Sequence, residues 1–126
     1  PGFYLHIEPG ASMVGIGIWM PDNKTLTAIR DAIVDDPDGW TALKAKLADN
    51  GYDWMARDEW KLKRAPRGFD KDHEHVEDLK LKSFAVSRHF ADDEVTEPAF
   101  FGKVIEAYAG AAPLAGFVCK AVGLPF

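Results

Sequence analysis

The chain has 126 residues, 47% hydrophobic and 28% charged, which is the size and make-up of one globular domain and not of a disordered segment. Its single cysteine, Cys119, excludes an intramolecular disulfide and any multi-cysteine zinc or iron–sulfur site. The net charge of −5 argues against general nucleic-acid binding, and no run of about 18 apolar residues marks a membrane span.

In chain order, Phe3 to Glu8 alternates, with Phe3, Leu5 and Ile7 on one side and Tyr4, His6 and Glu8 on the other, the pattern of a half-buried strand. Pro9-Gly10-Ala11-Ser12 is a turn signal, and Met13 to Met20 is a second extended run with bulky even positions and glycines at 15 and 17. A four-residue loop, Pro9 to Ser12, sets Glu8 opposite Met13, His6 opposite Gly15 and Tyr4 opposite Gly17. That register gathers Phe3, Leu5, Ile7, Val14, Ile16 and Ile18 on one face, whereas a one-residue slip mixes the faces. Two glycines inside a strand imply close approach by the Tyr4 ring, a helix or a ligand.

Pro21 ends the strand and Asp22 reads as a helix N-cap, followed by Leu26, Ile29 and Ile33 at helical spacing. Asp36 caps a second helix with Pro37 in its first turn, Trp40, Leu43 and Leu47 as its stripe, and Asn50-Gly51 as its stop. Trp60 to Arg64 alternates and predicts a short strand, His73 to Leu79 a short helix, and Ser83 to Phe90 a strand with Phe84, Val86 and Phe90 on one side. Pro98 starts a helical third, which Gly110 and Pro113 are expected to interrupt and Gly123 to end. The expected fold is α+β over residues 1–126, one domain: a twisted antiparallel sheet with an N-terminal hairpin, covered by helices in the order β-β-α-α-β-α-β-α.

Nine of the fifteen basic residues lie between Arg57 and Arg88, a stretch that is +2 after its seven acids, while the rest of the chain is −7. A solvated face is the plain explanation of this segment.

Four ordered blocks carry a family resemblance. They are Gly2-Phe3-Tyr4-Leu5-His6-Ile7-Glu8-Pro9-Gly10, Gly17-Ile18-Trp19-Met20-Pro21, Leu62-Lys63-Arg64-Ala65-Pro66-Arg67-Gly68-Phe69 and Leu81-Lys82-Ser83-Phe84. Together they resemble the bacterial domain of unknown function 2461 over essentially the whole chain. The resemblance implies a fold and a bacterial source, and it supplies no catalytic residues. Members of that family typically carry a mainly helical part and a further strand before the Tyr-Leu-His block, so the chain is expected to correspond to the C-terminal portion of such a protein. It begins with Pro1 and not Met, and an earlier leader or longer N-terminus is expected to have been removed.

Two constellations could carry chemistry. Tyr4, His6 and Glu8 share a strand face, where a carboxylate can orient a histidine for general-base work, although no nucleophile can be placed beside them. A polar face packed under a helix is the competing explanation. Lys61, Lys63, Arg64, Arg67 and Lys82, with Arg88, could hold a phosphate or carboxylate through arginine forks, against a solvated strand edge as the alternative. No Gly-rich phosphate loop accompanies them. Asp72-His73-Glu74-His75 departs from His-Glu-x-x-His and needs ligands from elsewhere, so no metal and no cofactor are expected. Trp19, Trp40, Trp54 and Trp60 mostly fit apolar stripes, with a sugar or nucleobase platform as the alternative for one that is exposed, and Cys119 reads as a buried inert thiol.

The leading expectation is a cytoplasmic binding module for a small anionic ligand or anionic partner segment, without nucleic-acid or membrane binding. The alternative is an acid–base, hydrolase-like enzyme using His6 and Glu8. A third reading is a structural half whose sheet is completed by a missing N-terminal segment or by another copy of the chain.

Overall fold

The computed structural model describes residues 2–55 and 58–124. Arg57, counted above in the basic segment, lies outside them. Strand β1 (Gly2–His6) pairs antiparallel with β2 (Ser12–Ile18), so that Phe3 faces Ile16, Tyr4 faces Gly15 and His6 faces Met13. The expected register is off by two residues. The displacement has a local cause: Ser12 Oγ accepts from Glu8 N at 3.1 Å and donates to Glu8 O at 3.0 Å, which binds the chain at 8 to the start of β2 and lengthens the loop. An even shift leaves each side chain on its expected face. Val14 and Ile16 are fully buried, while Phe3 and Leu5 stay nearly half exposed because β1 is the sheet's outer strand.

The sheet order is β1-β2-β4-β3, all antiparallel, with β4 at Phe84–Phe90 and β3 only two residues long at Asp53–Trp54. The β2–β4 approach depends on Gly17. It sits at φ +139°, and a Cβ there would lie 2.2 Å from the Phe84 carbonyl oxygen. At Gly15 the space is taken by the Tyr4 ring, whose Cε2 would be 1.9 Å from an added Cβ. The close approach at Gly15 is therefore internal.

Helix α1 (Asn23–Asp35) starts where expected, with Asp22 Oδ1 accepting from Thr25 N at 2.8 Å. Helix α2 (Pro37–Asp49) starts likewise at Asp36, whose Oδ1 accepts from Gly39 N at 3.0 Å. Helix α3 is a single turn, Val76–Leu79, and α4 another, Asp92–Val95. Four-residue helices leave no periodic signal, so the sequence pattern does not predict α4.

Two expectations fail. Trp60 to Arg64 is not a strand: a 3-10 turn at Asp58–Trp60 leads to one bridge, Lys61 to Leu81. The chain bends at Lys63 and Arg64, which ends the pairing after that bridge. The C-terminal helix is not interrupted: α5 runs unbroken from Phe100 to Val122 through Gly110 and Pro113, ending at the left-handed Gly123. A mid-helix proline costs about 3 kcal/mol, but one buried Leu or Val side chain is worth roughly 1.5–3 kcal/mol. Here Val104, Leu114 and Val118 are all buried, with Ala107, Ala111 and Ala115 between them. Packing therefore wins.

By length and composition α5 could cross a bilayer, although Gly110 and Pro113 and its scattered polar residues leave no uninterrupted apolar run in the sequence. Its buried residues face β2 and α1 as the central helix of the core. That core joins Val14, Ile16, Ile29, Ile33, Trp40, Phe84 and Val86 to the inner face of α5.

Candidate functional site

The backbone pairings that end the expected strand build a small pocket. Leu62 N donates to Lys80 O at 2.8 Å and Lys82 N to Trp60 O at 3.2 Å, which sets Leu62 and Lys82 diagonally across the Lys61–Leu81 bridge. Opposite them, Met20 N donates to the buried Ser83 Oγ at 2.7 Å, holding the segment that enters α1. Met20, Pro21, Asn23, Leu26, Arg30, Leu62 and Lys82 line the resulting cavity of about 220 Å³.

Arg30 is its unusual member. It is only 6% exposed, yet its Nε has no hydrogen-bond partner. Nη2 donates to the Leu81 carbonyl at 3.0 Å. Among the described residues no carboxylate forms an ion pair with Arg30 or with Lys82. Burial away from water holds the guanidinium below the usual arginine range. A buried cation without a counter-charge is costly, so such a group calls for an explanation. Sequence reasoning missed it. The available signal was its position, four residues after Leu26 on the apolar stripe of α1.

The basic residues expected to act together are divided. Lys82 lines the Arg30 pocket. Lys61 and Lys63 lie at a neighbouring depression with Glu77 and Lys80, where Lys61 Nζ pairs with Glu77 at 3.6 Å. Arg64 and Arg67 are exposed. Arg88 sits apart, beside Tyr52, Asp49 and Glu106.

The first 117 residues, which include all those named so far as pocket lining, match the family model described as conserved hypothetical protein, DUF2461. The chain belongs to that family. No curated protein and no solved structure matches it.

In this DUF2461 chain His6 and Glu8 do meet, with Nε2 2.8 Å from Glu8 Oε2. Both are more than half exposed, at 56% and 59% for their side chains. Glu8 borders a depression with Ser12, Asp92 and Thr96, and His6 does not. Tyr4 turns its hydroxyl to Met55 Sδ at 3.3 Å, and burial raises its pKa, away from acid–base work near neutrality.

A second polar cluster joins α2 to α3. His75 is buried, with Nε2 2.9 Å from Thr41 Oγ1 and 3.1 Å from Pro37 O. Nδ1 lies 3.4 Å from Lys44 Nζ, which donates to Asp78 at 2.7 Å. The arrangement has the residue types of a hydroxyl–imidazole–carboxylate triad, but its polarity is wrong. A carbonyl can only accept, and Thr41 itself donates to Pro37 O at 3.0 Å, so Nε2 carries a proton toward Pro37 O, with the Glu74 carboxylate 3.3 Å away, while Nδ1 faces Lys44 and Asp78 and not Thr41. Neither nitrogen is left to take a proton from Thr41. The network, with Trp40 Nε1 donating to Asp78 at 2.9 Å, ties α2 to α3. His73 and His75 stand ring to ring at 5.9 Å, and among the described residues no three His, Cys, Asp or Glu groups are placed to hold a metal.

Proposed function

We propose that this chain is a binding module for a small anion, received at the pocket of Arg30 and Lys82. The observation that carries the reading is Arg30, a buried guanidinium with no carboxylate partner on the wall of a cavity that also bears a lysine. An anion there would supply the counter-charge that the chain itself withholds, through charge-assisted hydrogen bonds.

The test is thermal unfolding in the presence of phosphate, sulfate and acetate. A ligand that prefers the native state raises Tm by mass action. Sulfate and phosphate also stabilise proteins generally by exclusion from their surface, so the informative quantity is the difference from Arg30→Gln. The wild type is expected to gain more than the variant in at least one anion. Identical gains in all three would end the proposal.

The acid–base reading keeps one supporting observation, the His6–Glu8 contact, but that pair lies open to water with no hydroxyl or thiol nucleophile bonded to it. The structural reading is supported by β1, a sheet edge whose outer side is unpaired among the described residues and whose Phe3 and Leu5 remain accessible. A further strand, from a preceding segment or another copy, would complete the sheet there. Bacterial origin and cytoplasmic location belong to the same proposal.

A further inference from the structure

The anion-binding reading leaves the ligand's body undefined, and the pocket walls define it. Two cations, Arg30 and Lys82, share the cavity with the apolar side chains of Met20, Pro21, Leu26 and Leu62. Its volume of about 220 Å³ lies below the range of roughly 300–1,000 Å³ of pockets that take nucleotides or drug-sized molecules. A planar guanidinium matches a planar carboxylate, and one carboxylate would use the donors of the polar end while leaving the apolar wall to be filled.

A second, independent observation falls on the same wall. Met20 is the one non-glycine residue at positive φ among the described residues, at +45°. Residues other than glycine rarely adopt that conformation, and it persists where surroundings impose it, commonly at ligand sites. Here Met20 N donates to the Ser83 hydroxyl at 2.7 Å, a bond that accompanies this backbone conformation. The result is a methionine half exposed at the pocket, following Trp19, a residue 44% exposed whose ring is set edge-on to Trp60 at 4.7 Å. A flexible thioether suits a variable apolar group.

We infer that the ligand is a small amphipathic monoanion, a carboxylate carrying a short apolar chain or ring, with its charged end at Arg30 and Lys82 and its body against Met20 and Leu62. This rests on the anion-binding reading above.

Isothermal titration calorimetry with acetate, butyrate, hexanoate and inorganic phosphate tests it, on the wild-type chain, Arg30→Gln and Met20→Gly. In the wild type, affinity is expected to rise about fourfold per methylene along the carboxylate series until the pocket is full. Phosphate should bind no more tightly than acetate. Arg30→Gln should weaken every carboxylate at least tenfold. Met20→Gly, in which glycine accepts the left-handed backbone without strain, should keep its Tm or raise it, and should lose most of the preference for hexanoate over acetate. If affinity is flat along the series, or greatest for phosphate, while still depending on Arg30, the amphipathic assignment is overturned and the anion site stands. If no anion binds in a manner that depends on Arg30, both fall.

Discussion

Arg30 and Gly17 are single residues whose neighbours make opposite demands. For Arg30, the guanidinium gives one hydrogen bond, to Leu81 O, and leaves Nε unpaired. One neutral-acceptor bond is worth about 1–3 kcal/mol, while an uncompensated buried charge costs several. Arg30→Met, similar in length and uncharged, is therefore expected to match or exceed the wild-type Tm when no anion is present, the pattern of a residue kept for binding at some cost in stability. A fall in Tm of several degrees would show Arg30 to be a strut for Leu81. For Gly17, any side chain meets the backbone of β4 and also needs a disfavoured φ. Gly17→Ala should cost about 3 kcal/mol or more, whereas at Gly15 the obstacle is the Tyr4 ring on an outer strand, which can swing away for about 1 kcal/mol. Urea unfolding of the two variants reads that difference, and equal losses would contradict it.

The elements were legible in proportion to their length and to the range of the forces that shape them. The α1 and α2 boundaries could be read because Asp22, Asp36 and Gly51 act on their own neighbours. The unbroken α5 could not, because Pro113 is a local signal overridden by packing that comes from distant strands. The hairpin faces followed from alternation, but its register depended on the Ser12–Glu8 contact, which no period reveals. The His6–Glu8 contact was readable as two residues on one strand face. Arg30 was not, since its meaning comes from Lys82 fifty-two positions later. Short α4 is held by side chains: Glu94 accepts from Ala91 N at 3.1 Å and from Lys103 of α5 at 3.2 Å. The Ala91 amide first, then Lys103, holds the Glu94 carboxyl below its usual range, and Glu97 with Glu94 raises Lys103. Because the folded value lies below the unfolded one, this contribution is present above the ordinary carboxylate range and is lost as pH falls through the depressed value. The stability gap between wild type and Glu94→Gln should thus shrink between about pH 6 and about pH 3. A gap that stays constant across that interval would show that the latch does not hold α4.

At the scale of the whole molecule the sheet has two unlike borders. The β3 border is two residues long and carries Asp53, whereas β1 is five residues long and has no lysine, proline or bulge to discourage pairing. Outward-pointing β1 amides should exchange fastest in the sheet, and light scattering over a concentration series should show mass rising with concentration, an increase that Leu5→Lys suppresses. A constant monomer mass would count against an adhesive border. The helical side offers a different handle. Cys119 is the chain's single sulfhydryl and is 6% exposed on the inner face of α5. A thiol reagent can reach it only when the end of that helix lifts from the core. Its labelling rate would therefore serve as a clock for how often the interior opens, readable without altering any residue.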